Sequence, residues 1–343
     1  MPIPEDILSA KSVASSMLLR PISVAAAPFG FGLSVAAAVE RANHNVHAVG
    51  VGKKWVAGQE TPVTSVRIYV TQKLPRSLLR ERDALPAQID GIPTDIIESP
   101  PAMLMGTPQC SVDRQTRQRP VVGGISTAHV NVTAGTLACF CRSTRAGDDP
   151  DAVYVLSNNH VYADVNRAAL GDALLQPGPL DGGLPGDVIA DLARFVPLVL
   201  GGTLPNQVDA AIGRLRPDVP FTDTVCSIGP ITGTDRAVED MAVRKHGRTT
   251  GYTEGVVTDE NLDAVVGMDH NNPSIVALFH GQMRLERTSP YPAFGLGGDS
   301  GSLVFGRDSS NAVGLYFAGP PSGTYGLANH IEDVLSALEI RLV

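Results

Sequence analysis

A serine stands between glycines at Gly298-Asp299-Ser300-Gly301-Ser302, immediately before the apolar run Leu303-Val304-Phe305. Glycine tolerates backbone angles that other residues avoid, so such a turn can expose the Ser300 hydroxyl and converge the Gly298 and Ser300 amides on one point. Two converging amides make an oxyanion hole, which stabilises charge developing on a carbonyl under attack. A serine hydroxyl is a poor nucleophile near neutral pH and needs a base within hydrogen-bond reach. His160 is a candidate, in a polar turn that follows the apolar run Val155-Leu156 through Ser157-Asn158-Asn159. The base in turn needs a carboxylate to fix its tautomer and stabilise its charged form. Asp209 supplies one in Asn206-Gln207-Val208-Asp209-Ala210-Ala211-Ile212, at the entry to another apolar strand. Singly the signals are weak. Gly-Asp-Ser-Gly is often an ordinary turn, most histidines are structural or exposed, and aspartate is common at strand ends. Together they describe a nucleophilic serine, a general base and its orienting carboxylate.

Residues so far apart in sequence need a scaffold of strands. In 64–71, Val66, Ile68 and Val70 alternate with Arg67 and Tyr69, which marks a strand. A small-residue apolar run at 46–51 precedes it; a short helix at 77–85 and a strand at 92–98 follow. Residues 45–98 therefore form a small α/β N-terminal domain without obvious chemistry. They are preceded by an N-terminal segment, 1–44, and followed by a proline-rich linker, 99–120. From 121 to 343 the pattern is short strands separated by turn signals. Strands at 135–141 and 152–157 flank Gly147-Asp148-Asp149-Pro150 as a hairpin. Others are expected at 188–192, 210–215, 224–228, 243–246, 255–258, 275–279, 282–287, 303–305 and 312–317, with a helix at 331–338. Such spacing suggests a pair of antiparallel barrels or a sandwich.

Composition agrees with a folded, strand-rich chain: 43% hydrophobic and 18% charged residues permit a packed core, and 35 glycines with 26 prolines suit many turns. A net charge of -8 argues against nucleic acid, whose phosphates require clustered Lys and Arg. The uncharged stretch 21–39 is interrupted by Pro21, Pro28, Gly30 and Gly32, so neither a membrane span nor a secretory signal is expected. Cys110, Cys139, Cys141 and Cys226 are too few and too irregularly spaced for a disulfide framework or a zinc site, which points to the reducing cytoplasm.

The order His, Asp, Ser separates this constellation from those of subtilisin and the α/β-hydrolases, and Ser302 stands where the hydrolase elbow needs its second glycine. The segments Leu156-Ser157-Asn158-Asn159-His160, Val208-Asp209-Ala210-Ala211 and Gly298-Asp299-Ser300-Gly301 resemble the signatures of trypsin-like serine proteases. Lys245-His246-Gly247-Arg248-Thr249-Thr250-Gly251 is similar to a strand and turn of the streptogrisins. Val313-Gly314-Leu315-Tyr316-Phe317-Ala318-Gly319 resembles the strand lining the primary pocket. Val49-Gly50-Val51-Gly52, Tyr69-Val70 and Ile92-Pro93-Thr94-Asp95-Ile96-Ile97 resemble the N-terminal domain of the plant narrow-leaf protease and its bacterial relatives.

This likeness covers most of 45–343. It implies a mainly β fold, a double antiparallel β-barrel of chymotrypsin type, with the catalytic triad in the cleft. It further implies a serine endopeptidase acting on protein or peptide substrates, with Ser300 as nucleophile, His160 as base, Asp209 as orienting group and the Gly298 and Ser300 amides as oxyanion hole. The pocket base falls near Phe294 and its wall near Phe317, Ala318 and Gly319, with no acidic residue clearly at the base. Neither metal nor organic cofactor is needed. Arg119-Pro120-Val121-Val122-Gly123-Gly124 looks like a zymogen cleavage site, yet proline after arginine resists such cleavage, so Asp299 must find a partner other than a freed N-terminus, or stay solvated. A latent enzyme or a non-catalytic binding scaffold is the alternative on this fold, an esterase or self-cleaving regulator a third. Homo-oligomer formation through the N-terminal domain stays open.

Overall fold

The computed structural model describes residues 3–19, 45–56, 58–79, 84–99, 113–202, 204–269, 272 and 274–343. The stretch 21–39, Cys110 and most of the expected linker lie outside the described residues.

Two rings of paired strands follow one another along the chain. In the first, Ser126–His129, Ala173–Leu175, Val188–Phe195, Ala211–Leu215 and Tyr154–Ser157 pair in succession. The chain from Gly135–Thr136 to Phe140–Ser143 bends so that one end pairs with Ser126–His129 and the other with Tyr154–Ser157, which closes a barrel of six strands. The expected hairpin forms, with Phe140 opposite Val155 and Cys141 opposite Tyr154. Leu137, Phe140, Val155, Leu174 and Ile189 fill the interior.

The second ring runs Ala242–Gly247, Gly251–Gly267, Val276–Arg287, Tyr325–His330, Asn311–Ala318 and Leu303–Gly306, back to Ala242–Gly247. A shared apolar layer joins the barrels, with Leu156 and Ala210 from the first meeting Leu303 and Leu315 from the second. The C-terminal helix Ile331–Leu338 contributes Ile331, Val334 and Leu338 to that layer, a spacing that places them on one helical face. The fold is therefore mainly β, a double antiparallel barrel.

The strands expected at 255–258, 275–279 and 282–287 are parts of two much longer ones, Gly251–Gly267 and Val276–Arg287, which form a hairpin. Asp259 and Asp263 obscured this in the sequence, since buried carboxylates are foreign to a strand pattern. Their partners come from the N-terminal region. Tyr69 Oη donates to Asp259, Arg67 lies beside it, and Lys11 pairs with Asp263. The strand Val46–Val56 pairs with Gly251–Gly267 through Ala48 opposite Ala264, and with Gln59–Val70, which runs parallel to Ile92–Glu98. The helix Glu5–Leu18 sets Ala10 and Ala14 against Val49, Val66 and Ile68. Of the helix expected at 77–85, a 3-10 turn at Arg76–Leu78 is described. The strand expected at 224–228 lies earlier, at Phe221–Val225, because positive φ angles at Ser227 (61°) and Gly229 (101°) turn the chain. Among the described residues no helix is long and apolar enough to cross a membrane.

Burial lowers the pKa of two structural histidines to about 4: His47, against the Ser99 carbonyl, and His246, against that of Gly124. Both stay neutral in the fold while the unfolded chain protonates near its ordinary pKa. Stability is thus expected to fall as pH drops from about 6.5 to about 4, by up to roughly 3 kcal/mol per histidine. Burial raises the Asp259 carboxyl to about 6, so it takes up its proton earlier in the fold and opposes one of the two. Thermal unfolding across this window should show a net acid destabilisation that His47→Gln reduces.

Candidate active site

His160 and Asp209 meet in the first barrel. Tyr154–Ser157 delivers the chain into a single helical turn, Asn159–Tyr162, on which His160 sits. Asp209 precedes the neighbouring strand Ala211–Leu215. The imidazole Nδ1 donates to Asp209 Oδ2 at 2.6 Å, and the His160 amide donates to Oδ1 at 3.2 Å. Asp209 is fully buried, so this pairing fixes the proton on Nδ1 and leaves Nε2 free to act as a base. Two asparagines hold the Asp209 backbone: Asn158 Nδ2 donates to its carbonyl at 2.7 Å and Asn329 Oδ1 accepts from its amide at 3.1 Å. Asn329 belongs to the second barrel, so it ties the carboxylate to the other half of the molecule.

Ser300 lies in the second barrel's turn before Leu303–Gly306. Its hydroxyl donates to the Phe317 carbonyl at 3.2 Å, and no hydrogen bond joins it to His160 among the described residues. Gly298 has φ of 91°, and a Cβ there would lie 2.7 Å from Thr249 Oγ1. Gly301 has φ of 93°, and a Cβ there would lie 2.2 Å from both Ser157 Oγ and the Thr136 carbonyl. Only glycine fits either position.

The amides of Gly298 and Ser300 have no acceptor among the described residues. The carbonyls across those same peptide bonds are both anchored. Thr249 Oγ1 donates to Gly297 O at 2.5 Å, while Ser302 donates to Asp299 O from its amide at 2.9 Å and its hydroxyl at 2.5 Å. In a planar trans peptide, holding C=O one way turns N–H the other. Ser302 thereby steadies the turn. Thr136 of the first barrel clamps the same loop, donating from its amide to Ser300 O at 2.7 Å and from its hydroxyl to Gly298 O at 2.8 Å.

Asp299 finds its partner within the chain. Lys245 Nζ lies 3.5 Å from its carboxylate, both side chains fully buried. Asp299 also accepts from the amides of Thr249 at 2.8 Å, Thr250 at 3.1 Å and Leu296 at 2.8 Å, and from Thr250 Oγ1 at 2.7 Å. Burial lowers the Lys245 pKa and Asp299 opposes that shift. Arg114, upstream of the barrels, donates to the carbonyls of Arg248 at 2.8 Å and Thr249 at 2.7 Å behind this pocket.

Among the pocket candidates, Phe294 is fully buried, with its carbonyl held by Thr253 Oγ1 at 2.7 Å. The Phe317 ring packs on Phe279 at 4.8 Å, in a core shared with Ala318, so beside Ser300 this residue contributes its carbonyl. Gly319 packs against Tyr325 O and Tyr316 Oη. The sequence reading did not assign roles to Asn158, Asn329, Thr136, Thr249 or Lys245. Lys245 and Thr249 do lie in the segment whose family likeness was noted. Among the described residues no group of three or more His, Cys, Asp or Glu is placed to hold a metal ion.

No family model matches the chain, and no curated protein matches it. Solved structures do. A glutamic acid specific serine protease that uses a histidine triad in substrate binding is 20% identical, with a TM-score of 0.47 over 65% of this chain and 100% of its own. Protease A of Thermobifida fusca is 18% identical, with a TM-score of 0.43 over 65% of this chain and 97% of its own. A Nocardiopsis protease is 15% identical, with a TM-score of 0.44 over 64% of this chain and 97% of its own.

Proposed function

We propose that the protein is a serine endopeptidase that hydrolyses peptide bonds through Ser300, His160 and Asp209. The observation that carries this reading is the buried, 2.6 Å pairing of Asp209 with His160 Nδ1, and the two unengaged amides of the turn that bears Ser300 support it. Ser300 attacks the substrate carbonyl as His160 Nε2 takes its proton. The Gly298 and Ser300 amides hold the oxyanion, and the imidazolium, stabilised by Asp209, protonates the leaving amine. Water then attacks the acyl-enzyme with His160 again as base. The chemistry uses no cofactor.

One observation favours a latent resting state: the Ser300 hydroxyl is engaged by Phe317 O and not by His160. Rotation of the Ser300 side chain then precedes attack. The test is digestion of an unfolded protein substrate by the purified chain and by Ser300→Ala. Fragments from the first and none from the second are expected. Equal cleavage by both, or by neither when both are folded, contradicts the endopeptidase reading.

A further inference from the structure

We propose that the N-terminal helix Glu5–Leu18 positions the Asp209 carboxylate, acting from Lys11 through Asp263 and Gln282, so that Ser300 is fully reactive only while that helix is docked. This deepens, and rests on, the endopeptidase reading. The hairpin of Gly251–Gly267 with Val276–Arg287 is irregular in its middle. Leu262 stands opposite Gln282 and Ala264 opposite Phe279, so Asp263 faces two residues, His280 and Gly281. Two residues against one make a bulge, and Gly281 takes a φ of 67° within it. Its amide donates to Asp263 Oδ1 at 3.0 Å.

The same carboxylate oxygen accepts from Lys11 Nζ, which also donates to Asn261 Oδ1 at 2.8 Å. Lys11 and Asp263 are both buried. His280 is more distant, its Nε2 3.8 Å from Asp263 Oδ2, and partly exposed. A buried carboxylate needs a cation and donors to hold its charge, and Lys11 is the cation in hydrogen-bond contact with this one. The helix therefore neutralises the group that pins the bulge.

Gln282, the residue after the bulge, carries the link to the site. It is buried, and both ends of its amide are engaged around Asp209. Its Nε2 donates to Gln207 O at 2.8 Å and to His280 O at 2.5 Å, while its Oε1 accepts from Asn329 Nδ2 at 2.5 Å. Asn329 Oδ1 in turn accepts from the Asp209 amide at 3.1 Å. One side chain thus fixes the backbone two residues before Asp209 and, through Asn329, the Asp209 amide itself. Without Lys11, the buried Asp263 charge draws in water or a proton, its hold on Gly281 loosens, and Gln282 moves with the bulge. Asp209 meets His160 Nδ1 at 2.6 Å, so a shift of its backbone is felt at the base.

The experiment compares full-length Lys11→Met and Gln282→Met with wild type, below the melting temperature of each. It reads the rate at which a fluorophosphonate labels Ser300, and kcat and KM on a peptide that wild type cleaves. Labelling rate and kcat are expected to fall about 10- to 100-fold in Gln282→Met and about 10-fold in Lys11→Met, with KM unchanged. Because one residue acts through the other, the double variant should label no more slowly than Gln282→Met alone. Adding Asp263→Asn to Lys11→Met removes the orphaned charge and keeps an acceptor for the Gly281 amide, so the rate should recover. Adding Asp263→Val instead removes charge and acceptor together, so the rate should stay low. These two pairs decide the matter even if Lys11→Met alone does not fold. Val66→Ala loosens the apolar core under the same helix without touching the relay, and should lower the melting temperature while leaving the labelling rate. Wild-type rates in Gln282→Met or in Lys11→Met with Asp263→Val overturn the proposal. So do additive losses in the double variant, or equal slowing in Val66→Ala. In each of those cases wild type is still labelled, and the endopeptidase reading stands. A folded wild-type protein that the fluorophosphonate does not label at Ser300 sinks that reading, and this inference with it.

Discussion

Alanine in place of His160 is expected to lower kcat/KM on a peptide substrate by about 10⁶-fold, as far as Ser300→Ala lowers it. Without the imidazole no base remains for the Ser300 proton, because the hydrogen-bond partner Ser300 has, Phe317 O, is a peptide carbonyl. The double variant should be no worse than either single one, because the two residues act as a unit. Asp209→Asn should cost about 10⁴-fold, through the wrong imidazole tautomer with the geometry retained. Initial rates on a peptide that the wild-type protein cleaves check all four variants, with circular dichroism to confirm folding. A loss below about tenfold in His160→Ala would mean that Ser300 is activated by some other group.

The second large effect belongs to Lys245. Replacement by methionine leaves the Asp299 carboxylate fully buried without its cation. Breaking a buried pair by removing one partner typically costs about 3–5 kcal/mol. The consequence reaches the reaction because Asp299 holds the amide of Thr249, and Thr249 Oγ1 holds the Gly297 carbonyl whose peptide bears the Gly298 amide. Loss of one oxyanion donor lowers kcat by about 10²- to 10³-fold. Lys245→Met should therefore show both a lower melting temperature and a lower kcat. Adding Asp299→Asn should restore part of the stability by removing the orphaned charge. A Lys245→Met protein with wild-type kcat would show that the turn holds its shape without the pair.

Much of this arrangement was legible in the sequence because it rests on local pattern. The hairpin of Phe140–Ser143 with Tyr154–Ser157 and the helix Ile331–Leu338 were readable from alternation, turn residues and helical spacing. Pairing of His160 with Asp209 followed from residue types and their chain order. Other parts depend on contacts between distant segments. The strand Tyr325–His330 reads Tyr-Gly-Leu-Ala-Asn-His, with little strand propensity, and owes its form to partners on both sides. Asn329 on that strand reaches Asp209 in the other barrel, which no local pattern announces. The length of Gly251–Gly267 was hidden by acidic residues whose partners, Lys11, Arg67 and Tyr69, are roughly two hundred residues earlier in the chain. The sequence leaves Asp299 either to find a partner within the chain or to stay solvated, and Lys245 is visible in it only as part of a motif.

The most direct measurement is to label the folded wild-type protein, Ser300→Ala and His160→Ala with a fluorophosphonate probe and map the modified residue by mass spectrometry. The account predicts one adduct, on Ser300, absent in Ser300→Ala and strongly slowed in His160→Ala. Labelling that survives Ser300→Ala, or none on the folded wild-type protein, would contradict it.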